Sequence, residues 1–202
     1  MCPVKNSYSL DEVLLELSQQ LQLSPEAFSA LKQHSGSLAL KCFQQEEMLL
    51  SAGEVGKHVF FITEGLVRFF YLTENGKEHN KSFAAEQQFA GPLCSFAKPE
   101  PCRFYIQALD TTQVLQIPLQ VLNELFGTSL EWANIGRMYF EEVARRKSLR
   151  EGQFLLDSAE VRYLAFVEDY PKLVERLPLY QIASYIGVTD VALSRIRKRI
   201  EK

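Results

Sequence analysis

This sequence of 202 residues lacks the sequence features by which membrane proteins, secreted proteins and common enzymes are recognised. It contains no run of 18 apolar residues, and Met1 to Leu10 lack the charged start and apolar stretch of a secretory signal. It also lacks the G-x-S-x-G, P-loop, H-E-x-x-H and dinucleotide-binding motifs of common enzyme classes. We therefore expect a cytoplasmic protein that is not an enzyme and does not contact a membrane.

Cysteine and histidine are scarce, which limits metal and redox chemistry. The four cysteines, at positions 2, 42, 94 and 102, include no C-x-x-C pair, so neither a zinc site nor a disulfide scaffold is indicated. The three histidines are too scattered to predict a metal or haem site. We expect reduced thiols and no cofactor. A redox sensor that uses Cys94 and Cys102 is the alternative.

Short β-strands separated by turns dominate the region from about Leu38 to Pro118. The runs VFFIT, LVRFFYLT, EHNKSF, FYIQAL and QVLQI are rich in β-branched and aromatic residues. Asn75-Gly76, between two of these runs, is the strongest short-range signal of a β-hairpin. This density of strands and turns predicts a β-sandwich or barrel.

Helices are expected on both sides of the β-rich region. Before it, Ser9 and Glu12 form a capping box, and Ser24-Pro25 begins another short helix. After it, residues 128 to about 156 contain no proline, which predicts one helix long enough to span two domains. Its apolar stripe is suited to a dimer interface and consists of Leu130, Ile135, Met138, Val143 and Leu149.

The last part of the chain, LYQIASYIGVTDVALSRIRKRIEK, has the spacing of a helix-turn-helix. Ala183 is small where two helices would cross, Gly187 suits the turn between them, and Thr189 is a suitable N-cap for the second helix. Leu193 and Ile196 would then face inward. The remaining residues become candidates for DNA binding: Thr189, Asp190, Val191, Ser194, Arg195 and Lys198, with Arg197 and Arg199 suited to phosphates.

Side-chain chemistry and charge favour DNA as the partner of this segment. Arg195 is suited to guanine and Val191 to a thymine methyl, whereas Asp190 suits cytosine or the helix N-terminus itself. From Leu179 onward five basic residues oppose two acidic ones, a local charge of +3 in a chain whose net charge is −3. An αα-hairpin with a solvated basic face is the alternative interpretation of the same spacing.

The order of a β-barrel, a long helix and a helix-turn-helix resembles the CRP/FNR family of bacterial transcriptional regulators. Within FQQEEMLLSAGEVGKHVFFITEGLVRFFYLTENGKE, the pairs Gly53-Glu54, Phe61-Ile62 and Glu64-Gly65 match the opening of a cyclic-nucleotide-binding jelly roll. The stretch SAEVRYLAFVEDYP, followed by LYQIASYIGVTDVALSRIRK, looks like the branch of the family whose DNA-binding domain is short and has little of the β-hairpin called the wing. Because the chain stops at Lys202, we expect no β-hairpin wing after the second helix.

The resemblance implies an α+β fold in three parts. Residues 1–127 would form N-terminal helices and a double-stranded β-helix, or jelly roll, that acts as the sensor domain. Residues 128–157 would form the dimerisation helix, and 158–202 a helix-turn-helix domain. The implied partners are double-stranded operator DNA, a second copy of the chain and an unknown small-molecule effector. The alternative is a ligand-binding or protein-interaction module of the same fold whose terminal helices no longer bind DNA.

The loop FAGPLCSFAKPEPCRFYIQA departs from the family pattern for cyclic AMP. Members that bind this nucleotide hold its ribose with a Glu and its phosphate with an Arg, but here Pro92 and Cys102 stand at those positions. Proline cannot accept a hydrogen bond from a ribose hydroxyl through a side chain, and a phosphate buried without its Arg is costly. Cyclic AMP is therefore not expected. Arg103, one residue later, is either a replacement phosphate ligand or a surface residue. The candidate effector-binding residues are Gly91, Leu93, Cys94 and Arg103.

Two further family properties do not transfer. Iron–sulfur sensing needs a cluster of N-terminal cysteines, and Cys2 stands alone there. The family's principal base-reading positions correspond to Asp190, Val191 and Arg195 in this chain, so the operator sequence cannot be taken from its relatives.

Overall fold

The computed structural model describes residues 8–200, which form two compact units. Residues up to 71 and 82–138 belong to the first unit, and residues 72–81 and from 139 onward belong to the second. The strands are β1 (Ala39–Phe43), β2 (Met48–Leu50), β3 (His58–Glu64), β4 (Leu66–Leu72), β5 (Glu78–Ala85), β6 (Phe89–Ala90), β7 (Tyr105–Ala108) and β8 (Thr112–Pro118). The helices are α1 (Leu10–Leu21), α2 (Pro25–Gln33), α3 (Cys94–Ala97), α4 (Leu119–Thr128), α5 (Leu130–Leu156), α6 (Ala159–Asp169), α7 (Pro171–Arg176), α8 (Leu179–Ile186) and α9 (Asp190–Ile200).

The strands form two four-stranded sheets, with the orders β1-β8-β3-β6 and β2-β7-β4-β5. The pairs β3-β8 and β4-β7 are antiparallel, with Phe61 opposite Leu115 and Phe69 opposite Ile106. Because side chains alternate along a strand, each sheet contributes one face to a shared core. That core includes Leu50, Phe60, Ile62, Val67, Phe69, Cys102, Phe104, Ile106 and Val114.

The opposite face of β3 and β8 packs against helices of the same unit. Phe61 and Leu115 are completely buried in a second core, which α1, α2 and α4 complete. The indole N–H of Trp132, at the start of α5, donates to the carbonyl of Ala27 in α2 (3.0 Å). Beside it, the carboxylate of Glu131 accepts from the backbone N–H of Ser24 (2.8 Å). The N-terminal helices are therefore an integral part of the first unit.

Most of the expected elements are present. The capping box at Ser9 and Glu12 is formed, and Asn75-Gly76 lies in the turn between β4 and β5, with Gly76 at φ 79°. The long helix begins at Leu130 and not at Thr128, because Ser129 is extended (φ −128°, ψ 121°) and separates α4 from α5. The α+β jelly roll with C-terminal helices is confirmed.

One expectation about the cysteines is wrong. Cys94 and Cys102 are free thiols, but Cys42 is disulfide-bonded, so the expectation that all the cysteines are reduced is wrong for Cys42. Within residues 8–200, no helix combines the length and the apolar character needed to span a lipid bilayer.

Candidate nucleic-acid interface and effector loop

The turn between α8 and α9 requires a glycine for two reasons. Gly187 ends α8 in the left-handed region (φ 75°), where its N–H donates to the carbonyl of Ala183. A Cβ at this position would also lie 2.6 Å from Cε1 of Phe154 on α5. Backbone conformation and space therefore both favour the glycine that the sequence pattern assigned to this turn.

Two arginines from neighbouring helices bind the C-terminal carbonyls of α8. Arg150 of α5 donates to the carbonyl of Tyr185 (2.6 Å), and Arg162 of α6 donates to that of Ile186 (2.9 Å). Burial lowers the pKa of Arg150, although the adjacent Tyr185 ring opposes this effect. Positive charge at a helix C-terminus is favourable, so these contacts fix the end of α8 from which α9 is positioned. The sequence pattern did not reveal this role, because both partners are distant in the chain.

The start of α9 is capped by its own residues. The backbone N–H of Ala192 donates to Oγ1 of Thr189 (3.2 Å), as expected of an N-cap. The N–H of Val191 donates to Oδ1 of Asp190 (2.9 Å), so this carboxylate binds the helix N-terminus. Of the two roles predicted for Asp190, the local one is therefore present without DNA.

One face of α9 is exposed and combines an apolar residue with positive charge. Leu193 is completely buried, and at 100° per residue Arg195 and Val191 lie about 160° around the helix from it. Val191 is 57% exposed, and Arg195 and Lys198 are exposed on the same side. Ser194, which is half-buried, lies at the edge of this face. We call Val191, Ser194, Arg195 and Lys198 the outer face of α9.

The other two predicted phosphate ligands, Arg197 and Arg199, differ in their surroundings. Arg199 forms an ion pair with Glu160 of α6, so its guanidinium already has a partner. Arg197, four residues after Leu193, lies about 40° around the helix from that buried side chain. The structure thus groups four of the eight candidate residues on one face. Arg199 lies only about 40° around the helix from Arg195, but its guanidinium pairs with Glu160, and Arg197 lies on the side of Leu193.

The tip of the β4-β5 hairpin packs on α8. The side-chain amide of Asn80 donates to the carbonyl of Gln181 (2.9 Å) and to Oε1 of Gln181 (2.5 Å). The backbone N–H of Asn80 donates to Oγ of Ser184 (2.9 Å), and its carbonyl accepts from Arg150 (3.1 Å). Asn80 and Gln181 are only 3% and 2% exposed, so this polar contact is buried. No local sequence signal predicts it.

The candidate effector loop follows β6 and contains α3. Pro92 is buried against Gly56, where an added Cβ would overlap the proline ring. Leu93 precedes α3, and Cys94 is its first residue. Arg103 is exposed between the buried residues Cys102 and Phe104, so its side chain points away from the core between the sheets. Three of the four candidate effector-binding residues, Gly91, Leu93 and Cys94, are therefore close together in this loop. The side chain of the fourth, Arg103, points away from the core.

The chain combines a two-sheet jelly roll, a long helix and a capped helix-turn-helix. Residues 40–129 match the cyclic nucleotide-binding domain family. The chain is 28% identical over 178 residues to electron transport regulator A of Shewanella oneidensis, a match that covers 80% of this chain and 68% of that protein. It is 26% identical over 180 residues to the fumarate and nitrate reduction regulatory protein of Escherichia coli, with 80% and 68% covered.

Solved structures share the fold at lower identity. FixK2 from Bradyrhizobium japonicum has a TM-score of 0.70 at 18% identity, covering 81% of this chain and 84% of that one. A transcriptional regulator of the Crp/Fnr family from Eubacterium rectale has a TM-score of 0.67 at 13% identity, with 89% and 84% covered. The resemblance to CRP/FNR transcriptional regulators is therefore confirmed, and the chain spans about two thirds of the length of the curated relatives.

Proposed function

We propose that the chain regulates transcription as a homodimer that binds operator DNA through the outer face of α9. The observation that supports this proposal is that Arg195 and Lys198 are exposed there and form no hydrogen bond or ion pair with any residue in the described range. Arginine can donate two hydrogen bonds to guanine in the major groove, and lysine can neutralise a phosphate. Ser194 belongs to this face and Thr189 and Asp190 border it. Arg197 and Arg199 would approach the DNA backbone. Such a regulator works in the cytoplasm and needs no catalytic site.

Selection from a random duplex library tests this function. The 202-residue chain should enrich a palindrome whose half-sites are about 34–36 Å apart, the spacing of successive major grooves on one side of the duplex. Its affinity should fall as salt rises, because bound phosphates release counterions. Recovery of no preferred sequence, with no salt-dependent retention of duplex, would favour the alternative module that no longer binds DNA.

The proposed dimer interface lies on α5. Met138, Leu149 and Leu156 are 61%, 54% and 86% exposed, and spacings of 11 and 7 residues place them within about 20° of one helical face. Between them Glu142 accepts hydrogen bonds from Arg145 and Arg146, which lower the pKa of its carboxyl to about 2. One carboxylate faces two guanidiniums, so this cluster keeps a net charge of +1. An apolar stripe of this kind is what a parallel helix pair would cover.

The proposed effector is a small molecule other than cyclic AMP. Pro92 is buried against Gly56, and Cys102 is buried beside Cys94, so neither position offers the carboxylate or the guanidinium that ribose and phosphate would need. Calorimetry with cyclic AMP should give a dissociation constant no better than about millimolar. Micromolar binding would contradict this proposal and would point to Arg103 as the phosphate ligand.

Effector binding would act by shifting the population of helix positions that set the distance between the two copies of α9. The α5 helices are one route for this shift. The β4-β5 hairpin is a second route, because its strands belong to the jelly roll and its tip contacts α8 through Asn80.

A further inference from the structure

Two free thiols meet in the loop that follows β6. The Sγ atoms of Cys94 and Cys102 are 3.4 Å apart. A disulfide bond is about 2.05 Å long, so the sulfur atoms need to approach by only about 1.4 Å. Seven residues, among them Pro99 and Pro101, separate the two cysteines, so they meet through the folding of one short loop.

The two cysteines differ in how firmly they are held. The backbone N–H of Cys102 donates to the carbonyl of Glu54 (2.8 Å), and its carbonyl accepts from the N–H of Gly53 (2.7 Å). Cys94 begins a helix of only four residues. The approach can therefore be made by the segment that carries Cys94, while Cys102 keeps its place in the core between the sheets.

The two thiols also differ in solvent exposure, as a stepwise oxidation requires, because one must meet the oxidant first and the other must react second. Cys94 is exposed, whereas Cys102 is 2% exposed. Burial, together with the hydrogen bond to Cys94, raises the pKa of the Cys102 thiol. A small oxidant therefore reaches Cys94 first, and Cys102 stays protected until an oxidised sulfur lies beside it.

We propose that Cys94 and Cys102 form a hydroperoxide-oxidised thiol pair that closes to an intramolecular disulfide. In the first step Cys94 loses its proton and the thiolate attacks one oxygen of hydrogen peroxide. The O–O bond breaks and the departing hydroxide takes up that proton, so a sulfenic acid and water form. In the second step the sulfur of Cys102 attacks that of Cys94, and the hydroxyl group leaves as water with the Cys102 proton. Altogether two thiols and one peroxide give one disulfide and two waters.

This site is independent of DNA binding, and its test does not use DNA. Trypsin cleaves after Lys81 and Arg103 but not at Lys98, because Pro99 follows, so one peptide covering 82–103 contains both cysteines and no other. The reduced protein is treated with about one equivalent of hydrogen peroxide, unfolded in guanidinium so that iodoacetamide reaches the buried Cys102 as well, alkylated and digested. We expect this peptide to lose two hydrogen atoms, to take up no alkyl group, and to take up two after dithiothreitol.

Variants distinguish the pair from general oxidation. Cys94→Ser removes an exposed thiol, so the fold should be kept, and the remaining Cys102 should then be alkylated after the same peroxide dose. Ser95→Ala is the matched control: its hydroxyl lies 3.8 Å from Sγ of Cys102, but it takes no part in the reaction, so the disulfide should still form. Two alkyl groups on the oxidised wild-type peptide, or sulfinic acid at Cys94 with Cys102 alkylated, would overturn the proposal.

Discussion

Single arginines in the second unit divide into those that support the helices and those that remain exposed. Arg150 and Arg162 donate to the last carbonyls of α8, and Arg199 pairs with Glu160. Arg195 has no such contact within the described part of the chain and lies about 160° from the buried Leu193. Sequence position alone does not separate these roles, because all of these residues lie on polar helix faces.

The position of Arg195 leads to the first prediction. Arg195→Ala should weaken binding to the selected operator by about 1–3 kcal/mol and binding to random duplex very little, because a base contact is lost. Lys198→Ala, on the same face, should weaken both by similar factors and reduce the salt dependence. Fluorescence anisotropy on both duplexes at several salt concentrations measures this contrast.

Equal losses on both duplexes for Arg195→Ala would move base reading to Val191 or Asp190. The ion pair of Arg199 makes that residue a third comparison. Its replacement by alanine should weaken operator and random duplex alike. The loss should be smaller than for Lys198→Ala if the pair with Glu160 persists on DNA.

Gly187 gives a prediction about stability. Gly187→Ala combines a positive φ of 75° with a Cβ that would lie 2.6 Å from the Phe154 ring, so it should destabilise the protein by about 1–3 kcal/mol. Gly127→Ala is the control, because Gly127 lies in the last turn of α4 and an added Cβ there meets nothing within 4 Å. That change should be neutral or stabilising by up to about 1 kcal/mol. Urea denaturation measures the free energy of unfolding of both variants. Equal values for Gly187→Ala and Gly127→Ala would mean that the turn tolerates a side chain.

At the scale of elements, local signals were sufficient wherever the physical cause is local. The capping box at Ser9, the turn at Asn75-Gly76 and the αL glycine at position 187 each depend on a few adjacent residues, and all three are present. The same holds for Leu193, whose burial follows from helical periodicity. For such features a single sequence is enough.

Contacts between distant segments were not predictable. Asn80 lies in a hairpin whose local pattern indicates only a turn, yet it is buried against Gln181, 101 residues away. The Ser129 break between α4 and α5 was missed as well, since serine is tolerated within helices and no proline marks the end. The proximity of Cys94 and Cys102 likewise depends on how the loop folds onto the sheet, which no spacing rule specifies.

The contact between Asn80 and Gln181 leads to a prediction at this scale. Asn80→Ala should lower the free energy of unfolding by about 1–3 kcal/mol, because it leaves buried acceptors of Gln181 unsatisfied. Gln181→Ala should cost a similar amount. The double variant should cost less than their sum by about 0.5 kcal/mol or more, as expected of residues in direct contact.

Chemical denaturation of the three variants completes this double-mutant cycle. A matched control is Asn75→Ala, which removes an exposed amide in the same hairpin and should show additive effects with Gln181→Ala. Additivity in the Asn80 cycle as well would mean that the hairpin does not bind α8 in solution.

At the scale of the whole molecule, one helix has to serve two purposes. The first turns of α5 complete the helical core of the first unit through Trp132, while Arg150, five turns later, donates to the end of α8. The apolar residues left on its surface have no partner element in the described chain that covers them, since Leu149 and Leu156 remain 54% and 86% exposed. A second copy of the chain would bury them and would place two copies of α9 in one complex, as a palindromic operator requires.

Leu149→Glu tests this arrangement. A charge in the middle of the apolar stripe should convert the dimer to a monomer at micromolar concentration, because burying an unpaired carboxylate between two helices is costly. Ala144→Glu introduces the same group at an exposed position about 140° around α5, so the dimer should persist. Sedimentation velocity gives both masses.

Affinity for the palindrome should fall about a hundredfold for Leu149→Glu, since each copy then binds its half-site alone, while affinity for a single half-site should not change. A dimer that survives this substitution would place the interface on another surface, and the operator would then be read with a spacing that α5 does not set.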